Sequence, residues 1–258
     1  MRRRIAIPVL IAVFAAAWAA VAPAEIKQSE NIRVTFNADF APRALPQNRA
    51  APVKVEVSGR IATTDGSHPP ALRRLEVAIH RNGKLYTKGL PTCSAPVLQS
   101  TNTESALDRC GPAQVGRGTF RADVLLGEEV PAIGNILAFN SRHDGKQALV
   151  LHLFAAVPVR FTLVVPLEIG HPREGSFGTI LRAPIPRLGG GLGSITEIDL
   201  TIGRRYSFAG KRRSYVSAAC AAPTGFTKVP FPFARGTFRF EAHKPVSETL
   251  TRFCRVRS

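Results

Sequence analysis

Along much of the chain, apolar and polar residues alternate one for one. Val53, Val55 and Val57 are separated by Lys54 and Glu56, Leu75, Val77 and Ile79 by Glu76 and Ala78, and Ile198, Leu200 and Ile202 by Asp199 and Thr201. A period of two places one face on a core and the other in water, as in an antiparallel sheet. Asn82-Gly83, Asp144-Gly145 and Ala209-Gly210 stand between such segments and predict hairpin turns. Asp65-Gly66 followed by Pro69-Pro70 reads as a loop. Helical signal is confined to Thr103–Cys110, "TESALDRC", which predicts two turns capped at Thr103.

From Ala148 to Leu167 the chain is apolar enough to suggest a membrane span. His152, Pro158, Arg160 and Pro166 break that pattern, so the segment predicts two buried strands turning near Ala155–Pro158. No other segment of the chain after residue 24 suggests a span.

The pentapeptide "RGTFR" occurs at Arg117–Arg121 and again at Arg235–Arg239. In the first copy Phe120, Ala122 and Val124 alternate with Arg121 and Asp123, and in the second Phe238, Phe240 and Ala242 alternate with Arg239 and Glu241. Leu72–Cys93 and Ser194–Cys220 each run from an alternating strand, through a basic hairpin with a tyrosine, to a cysteine. Upstream, "IRVTF" (Ile32–Phe36) is matched by "VRFTL" (Val159–Leu163). An ordered series of this kind points to an internal duplication. The expectation is an all-β protein of two related antiparallel β-sandwich-like halves, residues 25–156 and 157–258, with at most one or two short helices.

Composition adds an address. Arg2, Arg3 and Arg4 precede the uncharged apolar run Ile5–Ala20, and Ala22-Pro23-Ala24 offers a small-x-small cleavage site. Residues 1–24 therefore read as a signal peptide, with retention as an anchor the rival reading. The leader holds three arginines and no acid, so the formal charge falls only from +17 to +14. A field of that sign attracts anionic partners at short range. Four cysteines, Cys93, Cys110, Cys220 and Cys254, all follow the cleavage site and suit an oxidising compartment. Three pairings are open, and local closure favours Cys93–Cys110 with Cys220–Cys254. Zinc is the alternative, but neither C-x-x-C spacing nor neighbouring histidines are present, so no metal is expected.

Signatures of catalysis are missing. The six histidines are scattered singly, and there is no H-E-x-x-H, G-x-S-x-G, P-loop or dinucleotide fingerprint. Eighteen acids leave a carboxylate-pair glycosidase little material. No catalytic residue and no cofactor is expected, although a hydrolase with a dispersed triad is defined by geometry and stays open as the alternative. His143 reads as an exposed turn residue and His152 as a core side chain.

One constellation stands out: "RRYSFAGKRRSY", Arg204–Tyr215. Folded about Ala209-Gly210, it would gather Arg204, Arg205, Lys211, Arg212 and Arg213 near Tyr206, Phe208 and Tyr215. Guanidinium groups bind phosphate or carboxylate in bidentate fashion, and aromatic rings stack. The anionic-ligand site is therefore placed on Arg204, Arg205, Tyr206, Lys211, Arg212, Arg213 and Tyr215, with Arg81, Lys84, Tyr86 and Lys88 a thinner counterpart. An ordinary charged edge hairpin would carry the same residues to block aggregation. "ATTDGSHPPALRRLEVAIHRNGKL" and the closing "TLTRFCRVR" resemble a group of uncharacterised exported actinobacterial β-rich proteins with no assigned activity. The resemblance implies export and a β-rich fold. The expected function is that of a secreted or extracytoplasmic, non-enzymatic binding or structural protein of the envelope or extracellular space. An anionic cell-wall polymer or surface is the expected contact, and nucleic acid is not.

Overall fold

The alternating segments become one continuous wall. A computed structural model describes residues 25–257, except Glu174 and Leu192 and the side-chain environment of Gly189; the predicted leader lies outside the described residues. The first strands are β1 (Glu25–Ser29), β2 (Ile32–Ala41), β3 (Ala44–Leu45), β4 (Ala51–Pro52), β5 (Lys54–Thr63), β6 (Leu72–His80) and β7 (Gly83–Leu85). Two short helices follow, α1 (Ala95–Leu98) and α2 (Thr103–Cys110). Then come β8 (Gln114–Leu125), β9 (Glu129–His143), β10 (Lys146–Ala155), β11 (Phe161–Gly170), β12 (Phe177–Pro184) and β13 (Gly193–Ile202). The last are β14 (Arg205–Phe208), β15 (Lys211–Ser214), β16 (Val216–Ala218), β17 (Lys228–Phe240) and β18 (Val246–Val256). The chain is all-β, as its alternation predicts.

Thirteen strands form one sheet in the order β1-β2-β5-β13-β8-β9-β10-β11-β12-β6-β17-β18-β3. Because β3 continues from β2 and pairs with β18, the sheet curls until its ends meet. The Arg255 and Arg257 N–H groups donate to the Arg43 and Leu45 carbonyls, both at 2.8 Å. Farther along the seam, buried Arg252 of β18 donates to the Ala38 carbonyl (2.9 Å) and Asn37 Oδ1 (2.5 Å) of β2. Inward positions of every long strand build a single core. In β2, for example, Ile32, Val34, Phe36, Ala38 and Phe40 are all buried. The two sandwich-like halves are thus not separate layers: strands from both runs interleave in one curled sheet.

The interleaving is reciprocal. β13, from the second run, pairs with β8, while β6, from the first, pairs with β17. In the first ladder Ile198, Asp199, Leu200 and Thr201 face Phe120, Thr119, Gly118 and Arg117. In the second, Leu75, Glu76, Val77 and Ala78 face Phe238, Thr237, Gly236 and Arg235. Each pentapeptide meets its partner in the same register. Even the bulge recurs, with Ile195 opposite Ala122 and Leu72 opposite Phe240. The two phenylalanines occupy matching inward sites: Phe120 packs edge-on to Phe161 (5.9 Å), and Phe238 to Phe36 (5.8 Å).

Two additions complete the fold. Outside β9 and β10, the segment from Cys93 to Ala113 covers a second apolar cluster containing Leu98, Ala106, Leu137, Phe139 and Val150. The Cys93–Cys110 disulfide (Cα–Cα 5.6 Å) closes this clip. Helix α2 has the predicted bounds, but its cap is Asn102, whose Oδ1 accepts from the Ser105 N–H at 2.7 Å. At the end of the wall where β5 begins and β6 and β13 finish, a small sheet ordered β4-β16-β7 is built from the connections. Here one expectation is corrected: Asn82-Gly83 does not close a hairpin. Arg81 and Asn82 turn the chain off β6, and β7 pairs with β16 instead, because residues of the cap find their partners across the opening. The Cys220–Cys254 disulfide (Cα–Cα 5.7 Å) ties the chain just after β16 to β18.

Candidate functional site

The basic hairpin grows directly from the end of β13. β14 and β15 pair antiparallel, with Tyr206 opposite Arg213 and Ser207 opposite Arg212. Ala209 and Gly210 both have positive φ (50° and 70°), the geometry of a type I′ two-residue turn. Pairing places Arg205, Ser207 and Arg212 on one face and Tyr206, Phe208, Lys211 and Arg213 on the other.

The second face is anchored to the first run's basic segment. Tyr206 Oη is within 2.9 Å of the Lys88 carbonyl and 3.1 Å of the Tyr86 carbonyl, to which it donates. Its ring stacks on Tyr86 (6.5 Å), and the Arg213 guanidinium lies 5.0 Å from the centre of the Tyr86 ring. Burial, with Tyr86 nearby, raises the Tyr206 pKa, which keeps the hydroxyl a donor. Arg204 Nη1 donates to the Pro112 and Gln114 carbonyls, both at 2.7 Å, and so fastens the hairpin to the start of β8.

The seven predicted residues therefore separate. Arg204, Tyr206 and Arg213 position the hairpin. Arg205, Lys211 and Arg212 are exposed. Lys84 and Lys88 are exposed on the segment beneath. None of these five cations makes an ion pair among the described residues. Tyr215 leaves the group altogether: it is fully buried and belongs to the interior.

The interior holds the feature that sequence reasoning missed. A cavity of about 150 Å³ lies between the wall and the cap, lined by residues such as Phe36, Val57, Leu200, Tyr215 and Phe238. Its lining is almost wholly apolar. An outer groove of about 490 Å³ between the β6 end and β17 shares His80, Asn82 and Phe231 with it. The signal that could have pointed here is the change from "KRRS" to the apolar "YV" at Tyr215-Val216.

Histidine chemistry is sparse. His152 Nε2 lies 2.9 Å from Thr101 Oγ1 and 3.0 Å from the Thr101 carbonyl, but the threonine hydroxyl donates to the Leu98 carbonyl (2.6 Å) and the group is buried. His143, Asp144 and Glu168 approach one another around the β9–β10 turn, where Lys146 Nζ sits 3.3 Å from Glu168. Among the described residues no such arrangement supplies a nucleophile, base and orienter at an open surface. No family model, curated protein or solved structure matches the chain.

Proposed function

We propose that the protein is exported and works as a non-enzymatic binding module whose basic hairpin meets an anionic cell-wall polymer or surface. The observation that carries this reading is an anchored hairpin that exposes Arg205 and Arg212 on one face and Lys211 on the other, with Lys84 and Lys88 exposed on the segment it packs against, all without acidic partners among the described residues. Arg204, Tyr206 and Arg213 bond to the scaffold, so the hairpin backbone that carries the free cations is held against the wall. Anchoring the hairpin removes the cost of ordering its backbone on binding, leaving only the rotamer freedom of the exposed side chains to be lost. The +14 balance left after the leader adds short-range attraction to anions, and two disulfides fit a compartment outside the cytoplasm. The test is co-sedimentation with insoluble anionic cell-wall polymer at low and high salt. Replacing Arg205, Lys211 and Arg212 together by serine should weaken retention roughly 100-fold at low salt, from about 1 kcal/mol per cation near an anionic surface. Retention that ignores both salt and the triple substitution defeats the reading.

The same reading takes the two runs as copies of one ancestral unit that exchanged a strand. What supports it is the equal register of the β13–β8 and β6–β17 ladders, bulges included.

A further inference from the structure

We infer that the barrel interior is a binding site for a small apolar molecule, of one ring or a short chain, carrying a single hydrogen-bonding oxygen. Close-packed cores leave few voids larger than water, so a cavity of about 150 Å³ in the middle of this one is a departure that needs an occupant or a reason. A dry apolar space of that size accepts a molecule as large as benzene.

The polar half of the inference comes from Tyr215. Its side chain lines the cavity, it is 0% exposed, and its Oη has no hydrogen-bond partner. Burial pushes its pKa far above the ordinary tyrosine value, so the phenol stays protonated and offers its O–H as a donor. Buried hydroxyls are almost always partnered. Water is a poor partner here, because a buried water needs two to four polar contacts and the lining is almost wholly apolar, with His80, Asn82, Lys84 and Ser217 its few polar residues beside Tyr215. A ketone, ether or alcohol oxygen on an otherwise apolar molecule answers both needs at once: the carbon skeleton fills the space and the oxygen accepts from Tyr215.

A route exists. His80, Asn82 and Phe231 line both the cavity and the outer groove, with the His80 and Phe231 rings 5.1 Å apart. These side chains stand where the small cap meets the wall. The site is distinct from the exposed cations of the hairpin, so either function could hold without the other.

The test uses the full secreted chain with both disulfides intact and two probes of similar size, benzene and cyclohexanone. Calorimetry should show both binding, with cyclohexanone gaining about three- to ten-fold from one hydrogen bond to Tyr215. Tyr215→Phe should leave benzene affinity unchanged and weaken cyclohexanone by that factor. Val57→Phe, which fills the space, should abolish both. The chain has three tyrosines, so the Tyr215 phenolic carbon can be followed by NMR in ¹³C-tyrosine-labelled wild type. It should shift downfield with cyclohexanone, as a phenol that gains an acceptor does, and by more than the ring-current change benzene causes, a result that does not depend on any variant folding. Failure of wild type to bind either probe overturns the inference. So does a cyclohexanone affinity that Tyr215→Phe leaves unchanged, or a Tyr215 carbon that ignores cyclohexanone.

Discussion

His152 shows how one buried base couples this fold to pH. It sits on the outward face of β10, under the disulfide-closed clip, where its Nε2–H donates to the Thr101 carbonyl and Nδ1 has no partner. Burial lowers its pKa, and the bond to Thr101 only partly opposes that shift. The imidazole is therefore neutral in the fold, whereas in the unfolded chain it takes a proton below about pH 6.5. Between the two values the unfolded state binds more protons, so this contribution to stability is complete above pH 6.5 and is lost as pH falls toward the depressed folded value. His80 is shifted the same way, mainly by burial and then by Arg81. Denaturation midpoints measured at pH 7.5 and pH 5 should thus fall for the wild type, and fall less for His152→Gln. The comparison is of the pH difference, so any constant cost of the substitution drops out; an unchanged difference would show that His152 does not carry the coupling.

At the scale of elements, the closeness of β8 and β13 rests on glycine. A Cβ on Gly118 would lie 1.8 Å from the Asp199 carbonyl oxygen, and backbone cannot swing aside as a side chain can. Gly118→Ala should cost about 1–3 kcal/mol by denaturant titration. Gly111→Ala is the control, because a Cβ there meets nothing within 4 Å and the residue has helical dihedrals; it should stay within about 0.5 kcal/mol of wild type. The second pentapeptide is not a replica in this respect, since a Cβ on Gly236 would meet the rings of Phe238 and Phe36 instead. Much at this scale was legible in the amino-acid pattern. Strict alternation located β5, β6 and β13, and Pro158 with Arg160 separated β10 from β11, while Pro166 lies within β11 opposite Val150. The hairpins at Asp144-Gly145 and Ala209-Gly210 formed, both with positive φ at each turn residue. Asn82-Gly83 misled because turn chemistry sets a local reversal but cannot name the strand that comes next to it in space. The unbroken apolar run in β9 also hid its reason: its outer face, with Leu137 and Phe139, is covered by a clip distant in sequence.

For the whole molecule, alternation foretold a one-sided sheet but not its closure, because pairing β6 with β17 or β18 with β3 depends on residues far apart along the chain. The candidate site split for the same reason. Its basic hairpin could be read from Arg204 to Arg213, while Tyr215 turned inward only because the strand after the hairpin caps the barrel. Reciprocal pairing also sets how the molecule must fold. β6 has β12 and β17 as neighbours, and β13 has β5 and β8. A cut at the Asp144-Gly145 turn would divide the chain so that β6 and β13 each lose both partners, although each disulfide stays within one piece. Each piece alone then exposes long unpaired edges and half of the shared interior, and neither can bury enough apolar surface to offset its chain entropy. The expected outcome is that fragments 25–143 and 146–258 are each without a cooperative thermal transition. Mixed in equal amounts, they should assemble one-to-one and regain near-ultraviolet circular dichroism and a single transition. A fragment that melts cooperatively on its own would mean that one half is a self-sufficient unit, and that the exchanged strands are an ornament of the fold rather than its basis.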